Sequence, residues 1–406
     1  MNKRTTTLAL IFILLLGLIG AGLVYRFVYQ PRVAAGEGVD ADDFFSALFP
    51  FGQNNPVKNS TPTPQTLDNQ ESPVITKLRK VSGRPTSGAW FAGDGSTTTP
   101  ITIRFSERAT GHIFETPTDT YSEIRISNTT VPQIQLIMPF SDTSFVMRTL
   151  SDSSSISNFL SELNPSASVQ SITSSSLKPF DHIALQKNND VAVAVTKTAS
   201  GSRVESVDLK KNSASTILVS TISSWIPQIG GKKYFVQTAP SSGVLGYLYE
   251  IGAGGVLKRV VGDTPGLMSL PSPTGLYVLY SSVTGSDVSL FMLDTKSQLT
   301  YRAPLGALTD KCAWKTETPP EVVCAISDPV QNVNLPDDWF LGAIPLNDSM
   351  WLIRPIDGIA YAFGKLEIDA GTPIDVISMS ISSDGNYALF TNKNDLSVWA
   401  LKLSAE

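Results

Sequence analysis

Turn dipeptides recur along this chain at nearly constant spacing, each followed by a run rich in β-branched and aromatic residues. Thr143-Ser144, Asn189-Asp190, Gly230-Gly231 and Thr274-Gly275 precede FVMRTL, VAVAVTKT, KKYFVQT and LYVLY, and the steps between them are 46, 41 and 44 residues. Junctions containing Gly, Asn or Asp between alternating runs are hairpin signals. A period of this size made of short strands is the spacing of a propeller blade. Asp94-Gly95 lies 180 residues before Gly275, four steps of 45, and Gly385 lies 110 after it, two blades and roughly twenty residues more. The irregular stretch SDPVQNVNLPDDWFLGAIPLND, 327–348, accounts for the excess. Turns near 95, 144, 190, 231, 275, 318 and 385 therefore predict an all-β propeller of seven four-stranded blades over 74–406, with an insertion at 327–348.

The last blade is one strand short, because the chain ends at Glu406 soon after LSVWALKL. The run VITKLRKVS, 74–82, is alternating and otherwise unassigned. It is expected to pair with Leu396 to Leu401 and close the ring, which removes the edges an open sheet would leave. Val74, Thr76, Leu78 and Lys80 fall on one face, largely apolar near its start, and Ile75, Lys77, Arg79 and Val81 on the other, expected to be largely wet.

SPTG at 272–275 and SSDG at 382–385 resemble the Ser-Pro-Asp-Gly turns of WD40-like, TolB-type bacterial propellers, and LSVWAL at 396–401 resembles the outer strand of a WD40 blade. ERATGHIFE, the paired cysteines and LPDDWFLG together resemble uncharacterised single-span envelope proteins of candidate-phylum bacteria. That resemblance implies a location and a fold, and brings no catalytic residues with it.

Location is also readable from the N-terminus. Residues 1–4 form a short, basic leader, and Thr5 to Val24 runs without a charge. Twenty residues at about 1.5 Å each span the hydrocarbon of a bilayer, so 5–24 are expected to contact lipid as a transmembrane helix, with an aromatic flank to residue 29. A cleaved signal peptide is the alternative; its apolar region is shorter, about 7 to 15 residues, and Val33-Ala34-Ala35 is a distant cleavage site. Lys3, Arg4 and the amino terminus lead the span, while Glu37, Asp40, Asp42 and Asp43 offset Arg26 and Arg32 behind it. The cationic side favours N-in, with the C-terminal domain outside the cell membrane. Residues 30–73 read as a juxtamembrane segment and a stalk rich in Pro, Thr and Asn, too polar to offset its ordering entropy by burial.

With Lys3 and Arg4 set aside, 29 basic residues face 36 acidic ones, and no basic block occurs, which argues against nucleic acid as a partner. Candidate chemistry is sparse. RFSERATGHIFETP, 104–117, places Ser106 and Glu107 near His112, one of two histidines. In the propeller register it reads as two strands joined through Arg108-Ala109-Thr110-Gly111, where Gly111 supplies a positive φ. No nucleophile elbow stands anywhere in the chain, and the Asp-x-x-Thr-Gly turn of quinoprotein-like propellers is matched only with Glu107 in place of Asp and Glu115 in place of Trp. His182 begins an inner-type strand and reads as a packed or rim residue. Two histidines and two cysteines make no zinc site, and no cofactor is expected.

Cys312 and Cys324 flank the turn TETPPE symmetrically, which places them opposite each other on neighbouring strands and predicts a disulfide. Within the insertion, Asp337, Asp338, Trp339 and Phe340 set two acids beside two large rings. Either they form a surface for a protein partner, the loop serving contact more than folding, or the rings fold back to plug the rim. The function expected is a membrane-anchored, extracytoplasmic, non-enzymatic platform for a protein partner in the envelope. The alternatives are a glycan hydrolase or lyase, or a ligand-binding module, using the central channel.

Overall fold

The computed structural model describes residues 77–150, 155–164 and 171–403. The transmembrane helix and stalk expected over 5–73 lie outside the described residues. Seven antiparallel sheets of four strands each follow one another around a ring. Blades 1 to 6 cover 86–125, 134–177, 182–220, 225–265, 268–302 and 312–365, and blade 7 combines 376–402 with the strand Leu78–Ser82. Each of the seven expected turns falls between the first and second strands of its blade.

The second strands explain why strict alternation is weak in this sequence. Ala192, Val193, Ala194 and Val195 in blade 3 are all buried, as are Val322, Val323, Cys324 and Ala325 in blade 6. A strand packed on both faces reads as a continuous apolar run. Every pair of neighbouring blades shares a core of its own; Phe105 and Phe114 of blade 1 pack against Leu389 and Ala400 of blade 7, and Trp225 and Val236 of blade 4 against Val193 and Val204 of blade 3.

Closure follows the expected pairing, with Leu78 opposite Leu401, Arg79 opposite Ala400 and Lys80 opposite Trp399. Leu78 joins the core between blades 6 and 7. The face expected to be wet is not wet at Arg79, which is 4% exposed. Its guanidinium donates to the carbonyls of Pro117 (2.9 Å) and Thr120 in blade 1, so the fourth strand of blade 7 is covered by the next blade. Burial lowers the Arg79 pKa from its ordinary value.

The two most similar turns close in the same way. Ser272 Oγ accepts from Tyr277 N at 3.0 Å and Ser382 Oγ from Tyr387 N at 2.9 Å, while the Gly275 and Gly385 amides donate to the Ser272 and Ser382 carbonyls at 2.9 Å. Gly275 adopts φ +74° and a Cβ there would stand 2.4 Å from the Gly230 carbonyl oxygen, so the first turns of blades 4 and 5 touch backbone to backbone. That contact requires glycine.

Antiparallel order puts the loops between second and third strands on the same face as the connections from one blade to the next. The insertion is a loop of this kind, between Pro320–Ser327 and Asp348–Arg354 of blade 6. We call this the insertion face.

Candidate functional site

The insertion is fastened by a buried charge network. Lys311 ends a 3-10 turn leading into blade 6, and its Nζ donates to Asp348 Oδ2 at 2.7 Å and to Asp375 Oδ1 at 2.6 Å. All three side chains have at most 1% exposure. Asp348 also accepts from Ser327 Oγ and from Val376 N, both at 2.7 Å, and Asp375 accepts from the Trp339 indole at 3.0 Å and Leu346 N at 3.1 Å. Ion pairs removed from water are tolerable when both carboxylates also accept further hydrogen bonds, as here. Burial pushes the Asp348 pKa up, and Lys311 opposes that shift.

Trp339 lies on the short helix Asp337–Phe340 and is 2% exposed. The Lys311 and Lys393 ammonium groups stand 4.9 and 4.5 Å from its ring centre, a doubled cation–π contact. It packs with Met268, Val283, Leu308, Val333 and Leu335, drawn from blade 5, its connection to blade 6 and the insertion itself. Asp337 accepts from the Ser242 amide of blade 4 at 2.6 Å, and Leu335 N donates to the Gly285 carbonyl of blade 5 at 3.1 Å. The insertion thus reaches blades 4, 5 and 7 across the insertion face. Asp338 accepts from Asn334 N at 2.7 Å within the loop.

The four residues singled out in sequence therefore separate. Trp339 is turned into the fold, as the alternative in which a ring plugs the rim expects. Asp337 and Asp338 hold the loop's shape. Phe340 stays 45% exposed and Leu341 81% exposed, and Val244, 63% exposed, belongs to the blade 4 loop that Asp337 grips.

The hairpin at 104–117 brings no triad together. Ser106 pairs directly with Ile113 across the strands, so its hydroxyl shares Ile113's buried face, while His112, one residue away, points to the other. The His112 ring meets Thr130 Oγ1 at 3.1 Å, and Glu107 accepts from Thr110 Oγ1 at 2.6 Å. Gly111 has φ +75°, as the turn requires. His182 opens the first strand of blade 3 half-buried, and burial, reinforced by Lys197 and Arg148, lowers its pKa. Cys312 and Cys324 are joined in a disulfide, directly opposite each other with Cα atoms 4.1 Å apart.

The first strands of blades 7, 1 and 2 and the first turn of blade 3 surround a cavity of about 680 Å³. Its large apolar lining residues include Leu136, Met138, Ile377, Met379 and Ile381, and its charged ones among the described residues are Arg108 and Lys187. Among the described residues no carboxylate lines it. Sequence reasoning did not find this wall, nor Lys311, Asp348 and Asp375. The network did carry a signal: each of its three charges stands at the start of an apolar strand, in KCAW, DSMWLI and DVISMSI.

No family model matches the chain, and no curated protein does. Among solved structures it is similar to the tricorn protease (TM-score 0.50, 10% identity, 83% of this chain), of which it spans 35%. It is similar to an oligogalacturonate lyase in complex with manganese (TM-score 0.50, 11% identity, 80% of this chain and 93% of that one). TolB from Acinetobacter baumannii aligns over 77% of this chain and 63% of its own with 11% identity and a TM-score of 0.39. At such identities the likeness is one of fold: a β-propeller of the kind found in the tricorn protease and the oligogalacturonate lyase.

Proposed function

We propose that this protein is a membrane-anchored, extracytoplasmic propeller that docks a protein partner on its insertion face. The observation that carries this reading is the pair Phe340 and Leu341, exposed at the C-terminal end of a helix whose Trp339 is locked into a buried charge network and whose Asp337 grips the loop of the exposed Val244. Apolar anchors held rigid before contact lose little entropy on binding, the property of interface hot spots. The anchor rests on the uncharged run Thr5 to Val24 and on the charges that flank it. A lyase reading gains nothing from this cavity, where no carboxylate among the described residues stands ready for proton transfer.

The test is capture from solubilised membranes by the full chain and by a Phe340→Ser, Leu341→Ser variant. Loss of a specific captured protein, with an unchanged melting midpoint, is the expected result. Capture of the same protein by both forms would remove the insertion face from consideration.

A further inference from the structure

The channel is built for a ligand of a different kind from the partner on the insertion face. We propose that the cavity among blades 7, 1, 2 and 3 binds a single-chain amphipathic carboxylate, its head group on Arg108 and its hydrocarbon chain along Leu136, Met138, Met379 and Ile381. The size, about 680 Å³, falls within the roughly 300–1,000 Å³ of small-molecule sites. Leu136 is 37% exposed although it stands on an interior wall, and Met138, Met379 and Ile381 are likewise only partly covered. Apolar side chains facing a water-filled concavity gain from any apolar chain that replaces the water.

Charge decides which end group such a chain carries. Arg108 sits in the loop between the second and third strands of blade 1, and the one side-chain partner of its guanidinium among the described residues is the neutral Gln135. It has no ion-pair partner there, and the cavity wall contains no Asp or Glu. A guanidinium presents five donors in a planar fork suited to a carboxylate, and Gln135 occupies only one nitrogen. A cationic head would meet Arg108 and Lys187 with repulsion.

The full chain in phosphatidylcholine nanodiscs, photolysed with a dodecanoate probe carrying a terminal diazirine, tests the site. Peptide mass spectrometry should place the label within Ile134–Pro139 and Val376–Ile381. Excess dodecanoate should compete, and dodecyltrimethylammonium should not. Arg108→Gln should lower labelling at these peptides about tenfold at limiting probe, the effect of losing a charge-assisted hydrogen bond. Leu136→Trp, which fills the cavity and leaves Arg108 in place, should abolish it. Label confined to other residues, equal labelling in Arg108→Gln, or equal competition by the cationic amphiphile would each overturn the proposal. None of these outcomes depends on whether Phe340 and Leu341 dock a partner.

Discussion

Trp339 and Phe340 are adjacent in sequence and opposite in consequence. Trp339→Ala would empty a fully packed site and strip Asp375 of a donor, a loss of about 3–5 kcal/mol. Phe340→Ala removes a side chain that is 45% exposed and should cost no more than about 0.5 kcal/mol. Chemical denaturation of the two variants distinguishes them; equal stability would mean that the indole is not anchored as described. A motif of two acids and two rings does not reveal in sequence which ring points inward, because that depends on Lys311, Asp375 and Lys393, which the fold gathers from two blade connections and a loop of blade 7. Arg79 was equally illegible: an arginine in an alternating strand reads as solvated until the next blade is known to cover it. Asp310 gives a pH signature at the same scale. It keeps some exposed surface while protein surrounds it, and desolvation raises its pKa to about 6. The folded state then binds the proton more tightly than the unfolded state, so the penalty is full above pH 6 and is relieved as pH falls toward the ordinary value of 3.8. Asp310→Asn should therefore be more stable than wild type at pH 7, with the advantage shrinking by pH 5 in melting curves. A difference that does not change between these pH values would show that Asp310 titrates normally.

Elements were legible where a turn demands particular residues. Gly230-Gly231, Thr274-Gly275 and Asp384-Gly385 mark first-to-second-strand turns because few residue types accept the backbone there, and Gly275 also meets the Gly230 carbonyl. The cysteine pair was legible for a related reason, since a two-stranded hairpin fixes which residues face each other. Reduction, or Cys312→Ala with Cys324→Ala, should lower stability by about 2–3 kcal/mol while leaving the sheet paired. Far-ultraviolet circular dichroism with urea melts would check both parts; a loss of strand signal would mean that the disulfide, not the ladder, holds blade 6. The channel wall was not legible at this scale. Leu136 and Met379 are separated by most of the propeller in sequence, and only the ring's closure places them in one cavity.

At the scale of the molecule, the turn spacing predicts the blade count and the missing last strand predicts the closure, both consequences of a ring that must leave no unpaired edge. Each blade interface has its own core, so the ring's stability depends on there being no gap. The core between blades 6 and 7 uses Leu78, and the joint between blades 7 and 1 uses Arg79, whose donors tie Leu78–Ser82 to Pro117 and Thr120. Removing that strand exposes Val398–Lys402 as an edge and uncovers apolar surface on both sides, a deficit comparable with the roughly 5–15 kcal/mol that holds a domain folded. The most direct measurement is the thermal midpoint of a chain beginning at Glu71 against one beginning at Thr86, both lacking the apolar N-terminal run. The account predicts cooperative melting of the first and early melting or aggregation of the second; equal midpoints would contradict the closed seven-bladed ring.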